Sequence, residues 1–131
     1  MKKVRIKKLD IKRDERGWLS EILRSEETGN HPFGQILITT AKQGYTKGNH
    51  YHTRKTEWYC VIKGKARLVI RNIKKEKRQE ITLDANSLCV VTIPPYHAHA
   101  ITNIGSDDMH LLAYIDESFD PKDPDTYNKA P

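Results

Sequence analysis

Between Gly44 and Gly64 the chain reads Gly44-Tyr-Thr-Lys-Gly-Asn-His50-Tyr-His52-Thr-Arg-Lys-Thr-Glu57-Trp-Tyr-Cys-Val-Ile-Lys-Gly64. His50 and His52 stand two apart on an extended segment, where alternate side chains share a face, and Glu57 opens an aromatic and β-branched run after a short turn. Two imidazoles and a carboxylate can therefore converge. Lys63-Gly64-Lys65 then makes a tight turn into the next apolar run, so residues 57–72 read as a β-hairpin. Farther on, Pro94-Pro-Tyr-His97-Ala-His99-Ala-Ile-Thr-Asn103 supplies another same-face pair, His97 and His99, on a strand begun by a proline turn. Neutral imidazoles with one carboxylate suit zinc, iron, manganese, nickel or cobalt, whereas calcium or magnesium would want more oxygen.

Outward from this stretch, short candidate strands alternate with turn residues at close spacing: 4–11, 18–24, 35–40, 57–63, 66–72, 78–83, 88–93, 98–103 and 110–115. No long helical periodicity develops. The 13 Ile and 5 Val against 7 Ala favour pleated strands over helices. An all-β sandwich or barrel follows, and 131 residues allow one domain with one core, residues 1–131. Its tail, 120–131, carries Pro121, Pro124 and Pro131 among aspartates and cannot form a central strand, so it wraps the surface or frays.

The net charge is +6, from lysines and arginines concentrated in residues 2–13 and 71–78. Apolar residues punctuate the first run and glutamates dilute the second, with no interleaved aromatics for base stacking. An anionic small substrate fits such a surface better than nucleic acid. No apolar run approaches the roughly 18–20 residues of a membrane span, and the basic opening has no apolar stretch behind it as a signal peptide would. The expectation is a cytoplasmic protein, with Cys60 and Cys89 as buried hydrophobes rather than a disulfide.

The two histidine stretches resemble the cupin superfamily. Gly44, His50, His52, Glu57 and Gly64 meet every fixed position of its first motif, and Pro94, His99 and Asn103 meet its second, with Tyr96 where glycine is usual. The resemblance implies a double-stranded β-helix, the jelly-roll barrel, with metal on His50, His52, Glu57 and His99. A closer likeness runs from Asp14 to Tyr127. Asp14-Glu-Arg16-Gly17-Trp-Leu-Ser-Glu21 resembles the opening of nucleotide-sugar 3,5-epimerases and ketoisomerases. Thr46–His52 and Phe119–Tyr127 resemble the C-terminal cupin of bifunctional capsular-polysaccharide enzymes acting on UDP-4-keto-6-deoxy-N-acetylhexosamines. There the cupin epimerises carbon 3 and a reductase domain follows with carbon 4, which implies that a separate reductase could take the product here.

Inverting a carbon beside a ketone needs a base to remove its proton and a positive centre to hold the enolate, which a divalent ion such as zinc supplies. The candidates for the base are His97, on the face of His99, Tyr59, in phase with Glu57, and Tyr96 and Lys47, which flank the ligands. Arg16, Lys47 and Arg54 could meet a diphosphate, and Asn103 is placed at the substrate by its motif position. An iron or nickel dioxygenase, or a non-catalytic sugar- or metal-binding module, would use the same ligands. A homodimer is expected, paired through the strand at 4–11.

Overall fold

The computed structural model describes residues 2–131. The strands formed among them are β1 (Arg5–Lys8), β2 (Lys12–Asp14), β3 (Gly17–Leu19), β4 (Gln35–Ala41), β5 (Thr46–Tyr51), β6 (Glu57–Lys63), β7 (Lys65–Asn72), β8 (Lys77–Asp84), β9 (Cys89–Ile93), β10 (His97–Asn103), β11 (Met109–Ile115) and β12 (Tyr127–Asn128). Ten of them build two five-stranded antiparallel sheets, ordered β1-β9-β6-β11-β4 and β12-β5-β10-β7-β8, while β2 and β3 form a hairpin apart. From β4 to β12 successive strands alternate between the two sheets, except that β7 and β8 pair as a hairpin within one, the winding of a cupin jelly-roll barrel.

Period-two patterning explains the packing. On β11, Met109, Leu111, Ala113 and Ile115 are buried while the residues between them are half-buried. They meet Tyr59 and Val61, Leu68 and Ile70, Ile81 and Leu83, and Ile101 from the facing strands in one core between the sheets. A second cluster lies outside, where Trp58, Cys60, Leu88 and Val90 are covered by Leu9, Ile11, Ile22 and Leu23. Both faces of β6 are therefore buried, which is why Trp58 and Tyr59 are core residues of two different clusters.

Several segments depart from expectation. The strand at 4–11 ends at Lys8; the Leu9 amide makes one more bond in register, to the Leu88 carbonyl (3.0 Å), and Leu9 and Ile11 pack on the outer cluster. β1 pairs with β9 of its own chain, Arg5 opposite Thr92, and its other side is an edge of the first sheet. The segment at 18–24 is strand only to Leu19, then runs irregularly into a 3₁₀ turn at Ser25–Thr28. The tail neither frays nor merely wraps: β12 adds to β5 at the sheet edge, Tyr127 opposite Tyr51. β5 is not among the nine strands the sequence predicts, although His50 and His52 are read there as lying on an extended segment; Asn49 is the extra residue of a β-bulge opposite the His99–Ala100 step. Cys60 and Cys89 are free thiols.

Candidate metal centre and its pocket

The bulge in β5 decides where His50 goes. It pairs His50 with His99 and, one residue further on in β10, Gly48 with Ala100. Alternation across a regular strand would put Lys47 and His50 on opposite faces; the extra residue lets both line one pocket. Glu57 enters from the other sheet at the start of β6. One ligand atom each from His50, His52, Glu57 and His99 lies within 4.8 Å of the rest, so the expected ligand set is assembled.

Hydrogen bonds orient the ligands. The Nδ1 of His52 donates to the Asp125 carbonyl (2.7 Å), and that of His99 to the His97 carbonyl (2.9 Å). Both Nε2 atoms face Glu57 Oε1, at 2.8 and 3.1 Å. His99 Nε2 and Glu57 Oε1 are buried without a conventional hydrogen-bond partner. A cluster of this kind could hold a metal ion, and imidazoles locked by carbonyl acceptors are the usual outer support of metal ligands. Burial, with His99 and His52 beside it, pushes the His50 imidazole down to about 4, so it is neutral at pH 7. Burial alone would raise the Glu57 carboxyl, but His52 and His99 hold it well below the usual carboxylate range. Neutral imidazoles and an ionised carboxylate are the donor set a divalent transition metal takes.

A pocket of about 300 Å³ opens over these ligands, with Leu37, Ile101 and Leu111 as apolar walls. Tyr59 lines it, edge-on to His99 at 5.7 Å between ring centroids. Burial, and then the neighbouring Glu57 carboxylate, raises its phenol well above the ordinary value, so Tyr59 keeps its proton. Lys47 also lines the pocket and donates to Thr39 Oγ1 (2.7 Å). A larger cavity, about 540 Å³, lies on the outer face of the first sheet by Phe33, Trp58 and Tyr114, and none of the four ligands reaches it.

The remaining sequence candidates lie elsewhere. His97 lines a separate cleft two residues along the strand from His99, its Nδ1 donating to the Pro95 carbonyl. Tyr96 adopts a left-handed backbone (φ 63°), stacks near Tyr51 and carries the Lys74 ammonium 3.9 Å over its ring, so it shapes the turn. Arg54 is occupied by Glu117 (2.9 Å) and Asp123 (3.1 Å). Arg16 sits on the β2–β3 hairpin against Asp14. Asn103 is buried, its amide donating to the carbonyls of Ala41 and Asp107 (both 2.8 Å), which makes it a clamp between loops.

Residues 12–127 match the model of a family described as the polysaccharide biosynthesis C-terminal domain. The chain belongs to that family. A UDP-2-acetamido-2,6-beta-L-arabino-hexul-4-ose reductase of Pseudomonas aeruginosa is 40% identical over 114 residues, which are 87% of this chain and 29% of the reductase. The capsular polysaccharide assembling protein CapF from Staphylococcus aureus superposes with a TM-score of 0.73 at 33% identity, covering 94% of this chain and 34% of CapF. The chain thus spans about a third of the length of either relative. ChmJ, a 3'-monoepimerase from Streptomyces bikiniensis in complex with dTDP-quinovose, superposes with a TM-score of 0.86 over 95% of this chain and 68% of ChmJ; at 17% identity this likeness is one of fold.

For this family member, two pocket elements escaped the sequence reading. Lys55 lines the pocket from the turn before β6, its Nζ donating to the Pro124 carbonyl (3.1 Å). Asp125 accepts from the Thr53, Arg54 and Lys55 amides and the Thr53 hydroxyl, and its carbonyl fixes His52. Only an aspartate after Pro124 marked it, and nothing local tells that it meets a segment some 70 residues earlier.

Proposed function

We propose that this chain epimerises carbon 3 of a UDP- or dTDP-linked 4-keto-6-deoxy sugar in the supply of polysaccharide precursors. His50, His52, Glu57 and His99 would hold the divalent metal, zinc in the first instance, with iron, manganese, nickel and cobalt suited to the same donors. The observation that carries this reading is the convergence of two imidazole nitrogens on a buried carboxylate oxygen at the floor of a pocket that also holds a protonated phenol. Membership of a polysaccharide biosynthesis family supports the substrate class.

A proton beside a ketone is removable because the charge left behind moves onto the ketone oxygen, and the bound metal supplies the Lewis acid that stabilises it. Tyr59 holds the proton that returns to the ring from its face of the pocket. Lys47, the other titratable candidate there from the sequence, orients the substrate oxygens and is the first residue to test for proton removal. The apolar walls exclude water from the carbanion. The product keeps its ketone, so a separate reductase is the enzyme class that consumes it. We place the reaction in the cytoplasm and in a homodimer; the exposed Ile36 and Ile38 on the outer side of edge strand β4 support the second.

The test offers the zinc-loaded protein UDP- and dTDP-4-keto-6-deoxy sugars in heavy water. Deuterium should enter at carbon 3, vanish on metal removal and slow by about 10²–10⁴-fold in Tyr59→Phe with metal retained, the range of a lost general acid or base. No incorporation with any such sugar, together with oxygen uptake by the iron-loaded protein on an organic substrate, would replace this reading by a dioxygenase.

A further inference from the structure

At one end of the barrel the core faces of three adjacent strands turn polar together. On β8 the inward stripe runs Leu83, Ile81, then Gln79 and Lys77; on β7 it runs Leu68, Ile70, then Asn72; on β10 it runs Ile101, His99, then His97. The registers align these changes: Asn72 lies opposite Lys77 on one side and His97 on the other, with neighbouring strands about 4.7–4.9 Å apart. Lys2, Lys3 and Val4 from the start of the chain and Lys75 from the β7–β8 turn close the space into a cleft of about 290 Å³. None of its residues lines the metal pocket.

The cleft has the features of a built anion site. Lys2, Lys3, Lys75 and Lys77 line it, no carboxylate does, and none of the four is in an ion pair among the described residues. The nearby acids are engaged outward, Glu76 with Arg71 and Glu80 with Arg78. Asn72 Oδ1 accepts from the amides of Lys74 and Lys75, which fixes the turn that carries Lys75 and leaves the Asn72 amide nitrogen free to donate. His97, only 7% exposed, lines the inner side of the cleft and has its Nδ1 held by the Pro95 carbonyl. Four lysines beside one small concavity that no carboxylate lines give it a positive field that favours an anion. The volume is at the low end for small-molecule sites, which selects a compact ligand, and lysine ammoniums are point-charge partners of phosphate oxygens.

We propose that this cleft binds a phosphate-type anion, inorganic phosphate or diphosphate or the phosphate end of a small ester, independently of the metal pocket. Such an anion would sit beside His97, whose carbonyl holds the metal ligand His99. The test titrates inorganic diphosphate into the full chain at low salt while backbone and imidazole resonances are followed by NMR. Saturable shifts should appear at Asn72, Lys75, Lys77 and His97, weaken at least about tenfold in the exposed-site variant Lys75→Glu/Lys77→Glu, and persist in His50→Ala, where diphosphate has no complete metal site to chelate. Phenyl phosphate is the second probe: binding of both means that the phosphate group alone is read, and binding of diphosphate alone identifies an inorganic ligand. Equal affinity in the charge-reversed variant, shifts confined to the metal pocket and lost in His50→Ala, or binding of heparin without binding of either small anion would each overturn the proposal.

Discussion

Gly48 combines a left-handed backbone (φ 102°) with close approach to β10: a Cβ there would stand 2.8 Å from the His99 carbonyl oxygen. Any side chain must push β5 away from the strand that carries a metal ligand. Gly48→Ala should cost about 1–3 kcal/mol of stability, by strain at a position that favours glycine, and should weaken metal binding because the bulge that sets His50 opposite His99 is displaced. Urea unfolding and elemental analysis measure the two effects; wild-type metal affinity in this variant would show that the bulge does not set the site. The ligands themselves were legible because spacing in sequence becomes facing in a strand. His97 shows where that ends. Parity gave its face correctly but could not tell which end of the barrel two further residues, roughly 6.6 Å of strand, would reach.

In the tail, Asp125 gathers four hydrogen bonds from Thr53, Arg54 and Lys55. The tail's prolines and aspartates were enough to exclude a central strand, yet a two-residue edge strand pinned by Asp125 depends on long-range hydrogen bonds that no local pattern encodes. Asp125→Ala should destabilise the protein by about 1–3 kcal/mol, since it leaves the part-buried amides of Thr53 and Arg54 and the buried amide of Lys55 without their acceptor, and should loosen His52. Burial alone would raise the Asp125 carboxyl, but the hydrogen bonds from Thr53, Arg54 and Lys55 bring it below the ordinary carboxylate value. A depressed carboxyl stabilises fully above its unfolded value, about 3.9, and loses that contribution as pH falls through the folded one. The stability gap between wild type and Asp125→Ala should therefore stay level from neutral pH to about 5 and narrow below about 4; a gap that widened on acidification would contradict the role given to the ionised carboxylate.

Across the whole molecule, the alternating short segments gave the barrel, because nine strands without helix have few ways to bury their apolar faces. They could not give the edges, since strand order depends on pairings far apart in sequence. Those edges bear on assembly. Phe33, Ile36 and Ile38 are 60–70% exposed at one side of the first sheet, an apolar face a solitary protein rarely shows water. Ile36→Glu/Ile38→Glu should convert a dimer to a monomer by light scattering without loss of fold; an unchanged mass would move the interface elsewhere. The Asp125 contact to His52 also has a consequence in time. A chain emerging from the ribosome carries the segment around His50, then β6, then His99, but the carbonyl that fixes His52 follows some 70 residues after that imidazole. The four donors can gather early and still be incorrectly aimed, so a nascent chain that takes up a metal at this site would hold it loosely, and tight capture would wait until the segment around Asp125 closes on the barrel.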